Sequence, residues 1–227
     1  PGVYLGIVMG RHAGFLTSSS SLLRKKESDG PHLVFIPEYS FDMKNFLEKT
    51  QTVYNKYGKC ILAISEGIQD KNRKLISQKV IKKSEFDAHG NIQLSGTGSL
   101  GDFLCEQIKL KLKIPRVRAD TLGYPQRSFL GSASEVDQKE AKLIGIFSAK
   151  YSHKSNNSFS AGILERKKFD KPYKVQFVVN NLSDVAGKTK IMKKEFYNEK
   201  TNTVSKKFLS YALPLIGNKI TKTKSII

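Results

Sequence analysis

Short apolar runs alternate with amphipathic stretches from Val3 to about Lys150, and this alternation limits the possible folds more than any other feature of the chain. The apolar runs predict strands at Val3–Met9, Leu33–Ile36, Cys60–Ile64 and Val117–Leu122. Helical spacing of apolar residues predicts helices at Ser18–Lys26, Met43–Tyr57 and Leu100–Lys113. Because parallel strands need covering crossovers, the sequence predicts an α/β fold, a Rossmann-like parallel sheet in three layers.

The rest of the chain is predicted to add a smaller extension. Ser134-Glu135-Val136-Asp137 supplies a cap and an acidic first turn for a long helix. The further predicted elements are a hairpin or ordered loop at Glu85–Gly98, a helix at Ser134–Tyr151, a hairpin of Ser158–Glu165 with Tyr173–Val179, and a closing helix at Ser205–Leu215. Since no long linker interrupts the chain, we predict an α/β portion over residues 1–157 and an extension over residues 158–227 that packs on it.

The composition is that of a globular protein. With 39% hydrophobic and 26% charged residues among 227, the disordered and coiled-coil classes are excluded. The longest apolar runs fall far short of the roughly 20 residues that a transmembrane helix needs, so no membrane partner is expected. The N-terminus has no cationic segment and no initiator Met, and we expect an internal segment of a cytoplasmic protein. Cys60 and Cys105 have no partners at metal-ligand spacing and are predicted to be buried thiols in a reducing compartment.

The net charge of +19 favours a negatively charged partner. The lysines are scattered, however, without an arginine-rich arm and without a zinc or RNA-binding signature. Charge alone supports only non-specific affinity for nucleic acid, so no specific nucleic-acid partner is expected. A phosphorylated metabolite would be attracted by the same positive field. A phosphorylated metabolite and a non-specifically bound polyanion both stay open as partners at this point.

Charged and polar residues follow three predicted strands, at the edge where ligands bind in open α/β sheets. Gly10 and Arg11 follow the first strand, Glu66 follows the third, and Tyr124 and Arg127 follow the fourth. A guanidinium matches phosphate geometry and a carboxylate accepts hydrogen bonds from sugar hydroxyls, so this set fits a hydroxylated, singly phosphorylated small molecule. Each residue also has an alternative interpretation: Arg11 as a surface ion pair, Glu66 as a cap, and Tyr124 as an ordinary aromatic at the core edge.

Several groups of residues resemble motifs of one known family. They are Met9-Gly10-Arg11-His12-Ala13-Gly14-Phe15, Ile36-Pro37-Glu38, Ser65-Glu66-Gly67, and Arg118-Ala119-Asp120-Thr121-Leu122-Gly123-Tyr124-Pro125-Gln126-Arg127-Ser128. In order and spacing they resemble the sugar-phosphate half of the phosphofructokinases. The run Asp87-Ala88-His89-Gly90-Asn91-Ile92-Gln93-Leu94-Ser95-Gly96-Thr97-Gly98 and Tyr124 are similar to the pyrophosphate-dependent bacterial branch of that family.

The resemblance implies roles for particular residues. Met9, Gly10 and Arg11 would contact fructose 6-phosphate, and Arg11 would be the catalytic residue that stabilises the transferring phosphoryl group. The other implied substrate-binding residues are Glu66 for sugar hydroxyls, Tyr124 and Arg127 for the 6-phosphate, and Arg118 for the substrate of a neighbouring subunit. Because of this last role, the resemblance also implies a homo-oligomer, a dimer or larger.

The resemblance implies a donor site that this sequence lacks. In the family, a Gly-Gly-Asp loop binds pyrophosphate and Mg²⁺, and the Asp of a Thr-Ile-Asp motif is the general base for the sugar 1-hydroxyl; neither motif occurs here. The implied function is phosphoryl transfer from pyrophosphate to fructose 6-phosphate in glycolysis or gluconeogenesis, with this chain as the fructose 6-phosphate-binding portion and Mg²⁺ held by the N-terminal half. The alternatives are a truncated non-catalytic fragment, a portion of an ATP-dependent phosphofructokinase, and a polyanion-binding protein.

Overall fold

The structure is a computed structural model and describes residues 2–79, 98–129, 131, 133–169 and 172–217. In chain order the helices and strands are β1 Gly2–Val8, α1 Phe15–Ser19, β2 Leu33–Phe35, α2 Met43–Tyr57, β3 Lys59–Ser65, α3 Ser99–Leu112, β4 Val117–Thr121, α4 Gly123–Ser128, α5 Glu135–Ser152, β5 Ser160–Ile163, β6 Phe177–Asn180, α6 Leu182–Val185, β7 Tyr197–Asn198, β8 Thr203–Val204 and α7 Lys206–Ala212. Among these described helices, none combines the length and the apolar character that crossing a membrane requires. The predicted hairpin or loop at Glu85–Gly98 lies, apart from Gly98, outside the described residues.

Four parallel strands form the central sheet in the order β2-β3-β1-β4. In the register of the sheet, Val3 of β1 lies opposite Cys60 of β3 on one side and Val117 of β4 on the other. Parallel neighbours need crossover connections, and α2 and α3 lie in the connections that lead to β3 and β4. The predicted α/β fold, a parallel sheet with flanking helices, is confirmed.

The main core joins one face of the sheet to α2 and α3. Its most deeply buried side chains are Leu5, Leu62 and Ile64 from the strands, Phe46 from α2, and Leu104 and Ile108 from α3. Full burial of each such side chain stabilises the fold by about 1.5–3 kcal/mol. Val34 and Ala63 are paired neighbours at positions that alternate with the core residues, so their side chains lie on the opposite face of the sheet. Both are buried, so the opposite face is also covered at β2 and β3. Packing on both faces fixes the carboxyl ends of the strands.

Local signals explain the bounds of α2 and α5, two long helices that the sequence predicted. The carboxylate of Asp42 accepts a 2.7 Å hydrogen bond from the backbone N–H of Asn45 at the start of α2, and Gly58 ends this helix at a φ of +68°. The hydroxyl of Ser134 accepts a 3.2 Å bond from the N–H of Asp137 at the start of α5. A cap and an acidic first turn therefore begin α5, as predicted.

The predicted helix at Ser18–Lys26 is wrong. The structure has instead the short helix α1, followed by a 3₁₀ turn at Ser20–Leu23. Two serine hydroxyls donate to backbone carbonyls in this stretch, Ser19 to Leu16 and Ser20 to Thr17, each at 2.6 Å. Such local bonds compete with helix propagation, so a serine-rich segment does not extend a helix as its apolar spacing suggests.

The chain divides into two compact units, one within Pro1–Ser128 and Lys190–Lys206 and the other within Phe129–Thr189 and Lys207–Ile227. In the first unit, the hydroxyl of Tyr197 donates a 2.5 Å hydrogen bond to the carbonyl of Val34, so the segment of β7 and β8 attaches to β2. In the second, β5 and β6 pair as the predicted antiparallel hairpin, and α7 is the predicted closing helix. Lys190–Lys206 thus belongs to the first unit through long-range contacts, and the division into portions 1–157 and 158–227 stays a prediction.

Candidate functional site

Loops from three strands meet at the carboxyl edge of the central sheet. The backbone N–H of Glu66, after β3, donates a 2.9 Å hydrogen bond to the carbonyl of Val8, the last residue of β1. The N–H of Leu122, after β4, donates a 2.8 Å bond to the carbonyl of Ile7. These bonds continue the sheet ladder beyond the ends of the strands. The residues predicted from strand ends therefore start from one shared edge.

The loop after β1 depends on Gly10. This residue has a φ of +150°, and a Cβ built on it would lie 2.8 Å from the carbonyl oxygen of Ala13. Only glycine adopts this backbone without strain. The Gly10 N–H donates to Glu66 Oε1 at 3.5 Å, and Glu66 is only 8% exposed. Arg11, the next residue, is half-buried beside this carboxylate-bearing turn.

Gln126 connects α4 to the loop after β1. Its side-chain oxygen accepts a 2.9 Å hydrogen bond from the backbone N–H of Met9. Tyr124 and Arg127 are three residues apart on α4 and so share a face, and both are exposed, Tyr124 to 65%. The sequence prediction quoted Gln126 within a motif but gave it no role, because an amide that binds backbone is not distinguished by residue type alone.

Arg118 lies apart from the other candidates. In the register of β1 and β4, Arg118 is opposite Tyr4, whereas Thr121 is opposite Ile7 at the carboxyl edge. Three residues of strand span about 10 Å, so Arg118 is nearer the amino end of β4. Its side chain is exposed. The structure thus brings Met9, Gly10, Arg11 and Glu66 to one edge with α4, and it places Arg118 away from them.

A comparison with known protein families decides what kind of chain this is. Residues 3–151 match the family model described as phosphofructokinase. The chain belongs to the phosphofructokinase family. The resemblance that the motifs carried, including the likeness to pyrophosphate-dependent members, is confirmed.

Individual relatives match this phosphofructokinase chain over nearly its full length. The pyrophosphate–fructose 6-phosphate 1-phosphotransferase of Rhodospirillum rubrum is 47% identical over 217 residues, which cover 96% of this chain and 53% of that protein. The protein of the same name from Xanthomonas campestris is 31% identical over 214 residues, which cover 94% and 49%. The crystal structure of a pyrophosphate-dependent phosphofructokinase from Nitrosospira multiformis matches with a TM-score of 0.76 and 25% identity, over 100% of this chain and 51% of that one. The chain therefore spans about half the length of these relatives.

The charged groups at the edge of this phosphofructokinase sheet suit an anion better than a cation. Arg11 and Arg127 contribute two guanidinium groups there, and Glu66 contributes one carboxylate. Within the part of the chain that the structure describes, no group of three or more His, Cys, Asp or Glu side chains is arranged to hold a metal ion. The described residues thus do not form a Mg²⁺ site, and the Mg²⁺ that the resemblance implies stays a prediction.

Proposed function

We propose that this chain is the fructose 6-phosphate-binding portion of a pyrophosphate-dependent phosphofructokinase. The observation that carries the proposal is the meeting of the Met9–Arg11 loop, Glu66 and α4 at one edge of the sheet, where the loop donates one hydrogen bond to Glu66 and another to Gln126 of α4. Two guanidinium groups beside one largely buried carboxylate are the groups that a phosphorylated sugar requires. The sequence identity to pyrophosphate-dependent relatives favours pyrophosphate over ATP as the donor.

In this proposal, Arg127 and Tyr124 bind the 6-phosphate. Their exposure on a shared face of α4 supports the assignment, because a dianionic group can reach both without displacing core residues. A guanidinium forms paired hydrogen bonds to phosphate oxygens, and a phenol adds one more. The bond from Met9 to Gln126 would keep this pair at a fixed distance from the Met9–Arg11 loop.

Glu66 and the Met9–Arg11 loop would orient the rest of the sugar. The carboxylate of Glu66 would accept hydrogen bonds from sugar hydroxyls, and Met9 and Gly10 would contact the sugar. In phosphoryl transfer, the bond from the terminal phosphorus of pyrophosphate to its bridging oxygen breaks, and a bond to the 1-hydroxyl oxygen forms. The products are fructose 1,6-bisphosphate and inorganic phosphate, and Arg11 would stabilise the negative charge on the moving group.

The complete enzyme would be a homo-oligomer, and each subunit would have a further portion that binds the phosphoryl donor. The donor portion would hold pyrophosphate, Mg²⁺ and the general base, which this sequence lacks. Arg118 would serve the substrate of a neighbouring subunit in a homo-oligomer, and its exposure away from the carboxyl edge supports that assignment. We further propose that the enzyme acts in the cytoplasm, in glycolysis or gluconeogenesis.

Calorimetric titration of the purified chain with fructose 6-phosphate tests the proposal. Arg127→Ala is expected to weaken binding at least tenfold, because hydrogen bonds to a charged group contribute about 1.5–3 kcal/mol. Lys111→Ala is the matched control, since Lys111 is exposed near the end of α3, just before the amino end of β4, and its loss removes the same charge. Equal affinity for the three proteins would contradict the site assignment.

Two further measurements separate the alternative functions. Phosphoryl transfer, assayed on the same chain with Mg²⁺ and either pyrophosphate or ATP, is expected to be absent, since the chain has no donor motif; turnover with ATP alone would contradict the choice of donor. Binding to polyphosphate that falls steeply with salt, while fructose 6-phosphate does not bind, would favour a polyanion-binding protein instead.

A further inference from the structure

Two segments at the proposed site are held together by one buried hydroxyl. We call Met9–Gly14 the arginine loop and Ser65–Gly67 the glutamate turn. We propose that Ser65 is a positioning residue, which couples the arginine loop to the glutamate turn so that Arg11 and Glu66 meet the substrate in a fixed relative position. This inference rests on the proposed fructose 6-phosphate site and deepens it.

The Ser65 hydroxyl uses both of its hydrogen-bonding functions. It donates to the carbonyl oxygen of Gly10 in the arginine loop and accepts a 3.2 Å bond from the backbone N–H of Gly67 in the glutamate turn. Ser65 is 0% exposed, so water does not compete for either bond. Since a hydroxyl has a single hydrogen to donate, the orientation that serves Gly10 leaves a lone pair for Gly67.

The backbones of the two segments are in close contact beside this bond. A Cβ built on Gly67 would lie 2.0 Å from the carbonyl oxygen of Arg11 and 2.6 Å from its Cα. The backbone of Arg11 thus rests directly on the glutamate turn. On the side-chain side, Glu66 Oε1 accepts from the N–H of Gly10 at 3.5 Å. Any displacement of the arginine loop would therefore shift Glu66 relative to Arg11.

The position of Ser65 in the sheet gives the coupling a rigid base. It is the last residue of β3 and pairs with Val8, the last residue of β1, just before both chains turn. The preceding residues of β3, Cys60–Ile64, are apolar and mostly buried. A buried hydroxyl at the end of such a strand has no packing advantage over alanine. The role of the Ser65 hydroxyl is therefore given by its two backbone partners, one in each segment.

The experiment compares four forms of the purified chain: wild type, Ser65→Ala, Ser65→Thr and Ser77→Ala. Ser77 is a matched control because it is also buried and its hydroxyl has no hydrogen-bond partner among the described residues. The affinity for fructose 6-phosphate is measured by calorimetry, and hydrogen exchange of the Met9–Gly14 amides is followed without ligand. Thermal unfolding of each variant reports its stability. If Ser65→Ala does not fold, Ser65→Cys takes its place, since a thiol of similar size is only a weak donor.

We expect Ser65→Ala to weaken fructose 6-phosphate binding about tenfold, as small misplacements of binding groups do, and to speed exchange in the arginine loop. Ser65→Thr, which keeps the hydroxyl, is expected to bind more tightly than Ser65→Ala, and Ser77→Ala is expected to match wild type in both measurements. A lower unfolding temperature for Ser65→Ala with unchanged affinity and unchanged exchange would overturn the coupling, because a purely structural role predicts that result.

The two proposals fail in distinguishable ways. If wild type binds fructose 6-phosphate and Ser65→Ala binds it equally, the coupling is overturned while the proposed function stands. If wild type does not bind the sugar phosphate, the proposed function fails, and hydrogen exchange alone decides the coupling. In that case, faster exchange of the arginine loop in Ser65→Ala but not in Ser77→Ala supports the coupling, and equal exchange overturns it.

Discussion

The carboxylate of Glu38 accepts a 2.9 Å hydrogen bond from the backbone N–H of Gly14, the residue that ends the arginine loop and precedes α1. The same oxygen accepts a second 2.9 Å bond from the N–H of Met192, 154 residues beyond Glu38. A Cβ built on Gly14 would lie 2.5 Å from the Cβ of Ile36, so glycine is required at this contact. The arginine loop is thus fixed at both ends, by Ser65 near its start and by Glu38 at its end.

Glu38→Ala is expected to lower the free energy of unfolding by about 1–3 kcal/mol. Gly14 and Met192 are buried, and each N–H would lose its acceptor, which is the larger part of the penalty. Glu38→Gln keeps an acceptor oxygen at this position, and its free energy of unfolding is expected to fall by less than half as much. Urea unfolding of the three proteins measures the difference. Equal losses for the two variants would show that the acceptor oxygen does not matter.

Gly67→Ala is expected to destabilise the chain and to displace Arg11. The new methyl group would overlap the Arg11 carbonyl oxygen, which lies 2.0 Å from the Cβ position. Overpacking against backbone costs about 1–3 kcal/mol or more. Gly145→Ala is the matched control, because nothing described lies within 4 Å of its Cβ position and it is within α5. Alanine there is expected to stabilise the helix by about 0.5–1 kcal/mol. Thermal unfolding compares the two variants with wild type. An unfolding temperature that shifts in the same direction for both variants would contradict the steric argument.

The sequence predicted the sheet well because its signals are local. The apolar runs of β1 to β4 and the Ser134 cap of α5 depend on neighbours within a few positions. The helix α4 was missed because Gly123 and Pro125 read as loop residues, although proline fits the first turn of a helix. A serine run likewise concealed the early end of α1.

The candidate site was predictable in its location but not in its construction. Glycine and charged residues at strand ends identified the carboxyl edge, since that rule needs only the order of the strands. The bonds that organise the edge join residues far apart in sequence, 55 positions for Ser65 with Gly10 and 117 for Gln126 with Met9. Each uses a side chain on one partner and backbone on the other. Because backbone groups are the same for every residue, no pattern of side chains predicts such bonds.

The stability of the chain is expected to fall below pH 6.5 because of His32. This imidazole is buried, and its Nδ1 accepts a 3.0 Å hydrogen bond from the N–H of Ile61 while its Nε2 donates to the carbonyl of Ser28 at 3.2 Å. Burial lowers the pKa of His32 from 6.5, and the positive charges of Arg24 and Lys59 act in the same direction. The folded chain therefore favours the neutral form of the His32 ring.

The sign of the pH dependence follows from which state binds the proton first. Well above pH 6.5 both states carry a neutral His32, and its titration contributes nothing to the pH dependence of stability. As the pH falls below 6.5, the unfolded chain gains a proton that the folded chain excludes, so the free energy of unfolding decreases until the lowered folded pKa is reached. His32→Asn keeps an acceptor for Ile61 and cannot titrate. Urea unfolding between about pH 5 and 8 should show a smaller pH slope for this variant; identical slopes would exclude His32 as the source.

Cys60 is expected to resist alkylation until the core between the sheet and its helices opens. The predicted burial of both cysteines is confirmed, and burial raises the pKa of the Cys60 thiol to about 12. At pH 8 only about one thiol in ten thousand would then be the reactive thiolate. Cys60 is 0% exposed and lies in the core that the sheet shares with α2 and α3, so a reagent reaches it only when this core opens. Iodoacetamide labelling followed by mass spectrometry should therefore modify Cys60 at the rate of global unfolding, and Cys105, which is 8% exposed, at least as fast. Rapid modification of Cys60 in the folded chain would show that this core opens without unfolding of the rest.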